Sequence, residues 1–193
     1  LALYIHRVTG KEDMVITAPV VNRTGAHAEK AIGMYVSTVP VRLQVDDTLP
    51  FAQFAQQVAE RWFGALKHQR YPYDLLMQRL RERYPGFEGL DNVSLSFQNG
   101  RFVRDQGAFS YEGRWHFAGY QANALSIHLS DRENTGRFIV DYDYQTPLFS
   151  AKEIDYIHEH LLNLLTHALA HDETPICDLN PLPEEEWERV LYR

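Results

Sequence analysis

The hydrophobic pattern of this chain changes repeatedly between the period of a helix and the period of a strand. Apolar residues recur every three or four positions from Phe51 to Leu66 and from Ile154 to Ala168, which indicates helices with one buried face. They alternate with other residues from Leu125 to Leu129 and from Phe138 to Tyr144, which indicates strands with one buried side. Such a chain is expected to fold as an α/β sandwich, a mixed sheet covered by helices on one face.

Turn and cap residues mark the ends of these elements. Ser150 followed by Glu153 predicts a capping box at the start of the last long helix. The polar run from Asp131 to Gly136 predicts a hairpin between the two alternating strands. The residues before Gly10 are interpreted as the end of a helix already in progress, because glycine is common just past a helix end.

Shorter elements follow from weaker patterns. The runs Met14 to Pro19 and Met34 to Val45 predict extended structure, the second because it is rich in β-branched residues. A helix is predicted to begin at Pro72. Its expected buried residues are Leu75, Leu76 and Leu80. A further strand is predicted with its half-buried side formed by Val93, Leu95 and Phe97.

Composition excludes several classes of function. The net charge is -7, and no basic stripe is present that would bind a nucleic-acid backbone. The apolar runs are too short to span a bilayer, and the amino terminus carries no signal-peptide pattern, so a cytoplasmic protein without membrane contact is expected. Cys177 is the only cysteine, which excludes an internal disulfide and a cysteine-based zinc site. It is interpreted as a small buried hydrophobic residue.

Known catalytic motifs are absent from the sequence. It contains no glycine-rich phosphate loop, nucleophile elbow, zinc-binding helix motif or calcium loop. His128 alternates with the apolar residues of its strand, so its side chain is expected to be solvated. His68 lies at a helix end, where a positive charge is favourable. The motifs alone therefore identify no reaction.

Ordered segments of the chain resemble consecutive signatures of the condensation domains of nonribosomal peptide synthetases. Residues Ile32 to Arg42 resemble the family pattern Ile-Gly-x-Phe-Val-Asn-Thr-x-x-x-Arg, and residues His68 to Leu75 resemble His-Gln-Asp-x-Pro-Phe-Glu-x-Leu. The strand Leu95 to Asn99 and the run Asp143 to Ser150 follow in the family's order. The stretch from Leu179 to Leu191 resembles the exit segment that leads toward an adenylation domain.

The sequence also departs from the family pattern. Ser37 stands where asparagine is usual, and Arg70 stands where aspartate is usual. The family signature Arg-Asp-x-Ser-Arg-Asn-Pro-Leu is not recognisable between Pro85 and Val93, which leaves the subtype open. Epimerisation domains, the nearest relatives, tend to carry Trp-Phe-Thr where this chain has residues 35–37, so condensation is favoured.

The resemblance implies one lobe of a larger architecture. Condensation domains resemble chloramphenicol acetyltransferase, with two similar lobes that form a V and a channel at their junction. Carrier domains deliver thioesters tethered to phosphopantetheine, and the acceptor amine attacks the donor thioester to form an amide. The assisting histidine belongs to the motif His-His-x-x-x-Asp-Gly of the amino-terminal lobe, and no adjacent histidine pair occurs in these 193 residues. The chain is therefore expected to hold no catalytic residue and to be inactive alone.

The same resemblance predicts boundaries and partners. Residues 1–178 are expected to form the carboxyl-terminal subdomain, and residues 179–193 an exit linker. The expected partners are the amino-terminal lobe, encoded upstream, the donor and acceptor carrier domains, and a following adenylation domain. No cofactor is expected to bind directly, since the carrier domains bear the phosphopantetheine, and no metal site is expected.

Site residues are carried over by position in the matching motifs. Tyr35, Ser37 and Thr38 are expected to line the substrate channel, where a hydroxyl hydrogen-bonds the acceptor. Arg23 and Arg42 are expected to contact phosphopantetheine or the other lobe, because a guanidinium meets phosphate or carboxylate with two bonds; structural ion pairs are the alternative. Structural roles are expected for four motif residues: Gly33, His68, Gln69 and Pro72.

Three alternatives stay open from the residues. Trp115, Phe117 and Tyr120 either grip the partner lobe or pack under the chain's own loop. The chain as a whole is alternatively a binding module that docks carrier domains without chemistry. A third interpretation is a complete small acyltransferase with His128 or His68 as its base.

Overall fold

The computed structural model describes residues 1–23, 25–90, 92–98, 116–117, 119–131 and 136–191. The α-helices of this described part are α1 (Ala2–Thr9), α2 (Ala26–Lys30), α3 (Phe51–Leu66), α4 (Tyr73–Arg83), α5 (Ala151–Ala170) and α6 (Glu184–Leu191). Its strands are β1 (Asp13–Val20), β2 (Ser37–Gln44), β3 (Val93–Gln98), β4 (Leu125–Ser130) and β5 (Ile139–Tyr144). A short 3₁₀ helix at Ile176–Asp178 follows α5.

The strands form a five-stranded mixed sheet in the order β2-β1-β3-β4-β5. β1 pairs in parallel with β3 at Thr17 and Ser94, and β3 pairs in parallel with β4. The next pair, β4 and β5, is antiparallel, which confirms the strand pairing of the predicted hairpin. Residues 132–135 of its predicted turn lie outside the described residues. Helices combined with a mixed sheet confirm the predicted α/β fold.

The chain forms two compact units. The first comprises residues 1–16, 40–68 and 149–193, and the second comprises residues 17–39 and 69–148. The capping box is confirmed in the first unit, because the Ser150 backbone N–H donates to Glu153 at 2.7 Å and the Glu153 N–H donates to the Ser150 hydroxyl at 3.3 Å. The interior of this unit includes Phe54, Ile154, Leu164, Ala168, Ile176 and Leu179.

Residues 174–187, here called the carboxyl-terminal strap, are held in the first unit by side chains from two helices. Arg7 of α1 donates to the carbonyls of Ile176 and Leu179 at 2.6 and 3.2 Å, and also to that of Cys177. Asn163 of α5 donates to the carbonyls of two further strap residues at 3.1 and 2.9 Å, namely Asn180 and Leu182.

Two predicted faces in the second unit are only partly correct: Leu76 and Leu80 of α4 and Val93 and Leu95 of β3 are half-buried, but other residues differ. In α4 the buried residue is Met77, whereas Leu75 is exposed and Pro72 is the N-cap rather than the first helical residue. In β3 the buried residues are Ser94 and Ser96, whereas Phe97 is 63% exposed. Because β3 lies inside the sheet, with a neighbour on each side, apolar alternation does not reveal its more buried side.

Two further expectations need correction. The predicted extended run from Met34 shortens to β2, which begins only at Ser37. Cys177 is exposed rather than buried, because the turn of the 3₁₀ helix directs its neighbours Ile176 and Leu179 inward, with 1% and 2% of their surface exposed. No helix in the described ranges has the length and apolar character needed to cross a bilayer.

Candidate functional site

Three of the expected site residues lie close together in sequence at the start of β2, in the second unit. Tyr35, Ser37 and Thr38 are all half-buried, and Ser37 is the first residue of β2. Successive side chains of a strand point to opposite faces, so Ser37 shares its face with the buried Val39 whereas Thr38 points to the other face. The two hydroxyl residues therefore do not lie on one surface.

Arg23 is folded over the loop that leads to these residues. Its guanidinium donates to the backbone carbonyls of Ala28 at 2.7 Å, Ala31 at 2.6 Å and Gly33 at 3.0 Å. The same guanidinium lies over the ring of Tyr35, 4.3 Å from its centroid, in a cation–π contact. Arg23 therefore connects α2, Gly33 and Tyr35 within the second unit.

Arg42 occupies a different environment, in β2 beside the start of β1 in the first unit. Its Nε donates to Asp13 Oδ1 at 2.8 Å, and its Nη2 donates to Oδ2. The two side chains are 69% and 44% exposed. The hydrogen bond from Arg42 lowers the pKa of the Asp13 carboxyl, since it favours the charged form. An exposed guanidinium with a carboxylate partner fits an ion pair, and a phosphate would have to share it with Asp13.

The residues of the second motif lie at helix ends. The backbone N–H of His68, just beyond α3, donates to the Ala65 carbonyl at 2.9 Å. Pro72 is the N-cap of α4, and its carbonyl accepts from the Leu76 N–H at 3.0 Å. Gln69 is half-buried between these helices in sequence.

His128 is the histidine whose setting departs most from expectation. Its Nε2 lies 3.3 Å from Asp143 Oδ2, and the two side chains are only 15% and 17% exposed. The expected solvated position is therefore wrong. The reason is that β4 lies between β3 and β5, where Ser96 and Asp141 are its direct cross-strand neighbours. The sequence carried no register information from which Asp143, or Asp13 beside Arg42, could have been identified as a partner.

The aromatic residues before β4 fall partly outside the described residues, where Trp115 lies. Phe117 and Tyr120 are described, and they are 55% and 81% exposed. Packing under the chain's own loop is therefore wrong for these two residues. Among the described ranges, no group of three histidine, cysteine, aspartate or glutamate side chains is placed to hold a metal ion.

Comparison with known proteins gives consistent results. Residues 1–191 match the family model described as the condensation domain. Two proteins from Bacillus subtilis are similar to the chain: surfactin synthase subunit 1, 38% identical over 100% of this chain, and one of the plipastatin synthase subunits, 35% identical over 97%. The chain spans only 5% and 7% of their lengths.

Solved structures show the same fold. A variant of the starter condensation domain of rhizomide synthetase superposes with a TM-score of 0.78 at 23% identity, and the first condensation domain of the CDA synthetase with 0.74 at 22%. Each match covers 94% of this chain and 43% or 40% of the other. The likeness confirms the predicted condensation-type, acetyltransferase-like fold. Because the family model matches all but the last two residues, the chain belongs to the condensation domain family.

Proposed function

We propose that this chain is the carboxyl-terminal lobe of a condensation domain, which joins a donor thioester to an acceptor amine on carrier domains. The match of residues 1–191 to the family carries the proposal. The solved condensation domains extend well beyond it, since the chain covers about 40% of one of them. The paired-histidine motif is therefore assigned to the other lobe, and the chain alone is expected to be inactive.

Ser37 is the residue proposed to contact the acceptor. It lies half-buried at the start of β2, next to the ordered Tyr35 loop, and its hydroxyl both donates and accepts hydrogen bonds. Tyr35 and Thr38 flank it as further channel residues. The backbone contacts of His68 and Pro72 at helix ends support structural roles, as does the carbonyl contact of Gly33. Gln69, half-buried between α3 and α4 in sequence, is proposed to share that role.

Arg42 is proposed to contact the phosphate of an incoming carrier arm or a carboxylate of the other lobe. Support comes from its exposure and from the two-bond contact with Asp13. The similar proteins are peptide synthetase subunits, so carrier domains with phosphopantetheine and an adjoining adenylation domain are proposed as partners. Residues 179–193 are proposed as the path toward that domain, in a cytoplasmic enzyme.

Reconstitution tests the proposal. We expect the chain alone to form no amide from carrier-loaded donor and acceptor. Amide should appear when the amino-terminal lobe of a surfactin synthase condensation domain is added, and mass spectrometry of the acceptor carrier detects it. Amide formation by the chain alone would instead support a complete acyltransferase. A docking module would be supported if the chain alone bound carrier domains with full affinity and formed no amide even after the amino-terminal lobe was added.

Ser37→Ala provides a residue-level test in the active reconstituted pair. Loss of one hydrogen bond of about 1 kcal/mol should raise the acceptor KM about fivefold and leave the donor KM unchanged. Thr166→Ala, an exposed hydroxyl on α5, is the matched control and should leave both constants unchanged. An unchanged acceptor KM in Ser37→Ala would remove Ser37 from the site.

A further inference from the structure

The loop between β1 and β2 contains little structure that would hold it by itself. α2 has only five residues, and no side chain caps its start at Gly25. The last carbonyls of any helix lack partners within the helix. Here the Ala28 carbonyl accepts from the Ala31 N–H at 3.4 Å, and Arg23 adds a second donor, since its Nη1 donates to both Ala28 and Ala31.

Backbone geometry directs Arg23 toward the loop. The preceding residue, Asn22, has φ of 52°, in the left-handed region that asparagine tolerates better than most residues. Arg23 is itself half-buried, and its contacts are with the loop that follows it in sequence.

Arg23 contacts every second residue of the segment from Ala31 to Tyr35. It donates to the carbonyls of Ala31 and Gly33 and lies over the ring of Tyr35. The intervening side chains are exposed: 105% for Ile32, 88% for Met34 and 52% for Val36. Because one guanidinium contacts residues 31, 33 and 35, these contacts fix which of the intervening side chains project outward.

We propose that Arg23 is a positioning residue, which fixes the conformation of residues 31–36 and thereby places Ser37 at the acceptor. The effect on catalysis rests on the proposed function, whereas the effect of Arg23 on the conformation of the loop does not. The guanidinium is suited to the task, because its planar fork donates to three carbonyls while its face stacks on an aromatic ring. A lysine has neither the fork nor the flat face.

The variants Arg23→Gln and Arg23→Lys test the proposal, with Arg61→Gln on the exposed surface of α3 as the control. In the chain alone, hydrogen exchange of residues 26–37 should become faster in both Arg23 variants while the exchange of β4 stays unchanged. In the reconstituted pair, Arg23→Gln should lower kcat/KM for the acceptor roughly 10- to 100-fold, as expected for a misplaced contact. The donor KM should not change.

Two results would overturn the proposal. The first is unchanged exchange of residues 26–37 in Arg23→Gln. The second is full recovery of exchange and activity in Arg23→Lys, because a simple phosphate contact needs only a positive charge. A third result separates the two proposals. If hydrogen exchange becomes faster as expected but neither the unmodified chain nor any variant forms amide in the reconstituted pair, Arg23 still positions the loop and the proposed reaction is wrong.

Discussion

Two irregular segments of this chain are held by the same device and yet present opposite surfaces. Arg7 donates to backbone carbonyls of the carboxyl-terminal strap, and Arg23 donates to those of the loop before β2. In the strap, Ile176 and Leu179 are 1% and 2% exposed. In the loop, Ile32 is fully exposed.

This difference in exposure distinguishes two effects: an arginine fixes the conformation of a backbone segment, whereas burial of apolar side chains stabilises the fold. In both segments the cation donates to several backbone carbonyls, of which Ile176 and Ala28 also accept a backbone N–H. Only the strap adds side chains to the interior of its own unit, so it should contribute strongly to stability. The loop is held in shape while its apolar side chains remain outside, which is typical of a surface that serves binding.

Truncation of one apolar residue in each segment should give the largest contrast. Leu179→Ala is expected to lower the free energy of unfolding by about 2–5 kcal/mol, because it leaves a cavity. Met34→Ala should change it by less than about 0.5 kcal/mol, because the side chain is exposed. Urea titrations of the purified chain measure both values, and similar losses in the two variants would abolish the distinction.

Removal of each arginine should give an intermediate effect. Arg7→Gln removes the guanidinium that donates to the carbonyls of Ile176 and Leu179, at a cost of about 1–3 kcal/mol. Arg23→Gln should cost less, because its loop is more accessible to water. The same titrations provide the measurement, and a greater global loss in Arg23→Gln would show that the loop supports the fold.

The smallest expected loss of stability comes from removal of the side-chain cap at the start of a helix. α5 begins with the Ser150–Glu153 capping box, whereas α2 has no side-chain cap. Ser150→Ala should cost about 1 kcal/mol. Hydrogen bonds from Ser150 lower the pKa of Glu153, so the associated stability is present above the unfolded-state pKa of this glutamate and is lost as the pH falls through its folded-state pKa. A pH titration of Glu153 by NMR should show its pKa rising part of the way toward the ordinary value in Ser150→Ala, because the alanine lacks the hydroxyl but keeps the backbone N–H that donates to Glu153; an unchanged pKa would contradict a contribution from the hydroxyl.

Local patterns in the sequence were sufficient for much of the fold. The helical period of α3 and α5, the capping box and the β4–β5 hairpin depend on neighbouring residues, and the structure confirms them. The buried Ser94 and Ser96 could not be predicted, because hydrophobicity does not reveal a polar face covered within a sheet. Arg7 and its carbonyl acceptor on Ile176 are 169 positions apart, beyond the range of any local pattern.

The sequence proposed members for the candidate site but gave no information on its geometry. Family resemblance predicted roles for Tyr35, Ser37 and Arg23; in the structure Arg23 contacts Tyr35, and Ser37 begins β2 two residues later. The family resemblance did not reveal that the side chains of Ser37 and Thr38 point to opposite faces of β2. It also did not reveal that the Arg23 guanidinium donates to backbone carbonyls. Such details depend on the pleat and on the conformation of the loop, which the residue types alone do not determine.

The parallel pairing of β1 with β3 also bears on synthesis of the protein. Thr17 donates its hydroxyl to the carbonyl of Val93, 76 positions later. At translation speeds of roughly 5–20 residues per second, β1 waits on the order of 4–15 s before this neighbour leaves the ribosome. During that interval one edge of the strand lacks its final partner, so chaperone demand should be greatest for nascent chains that end before β3.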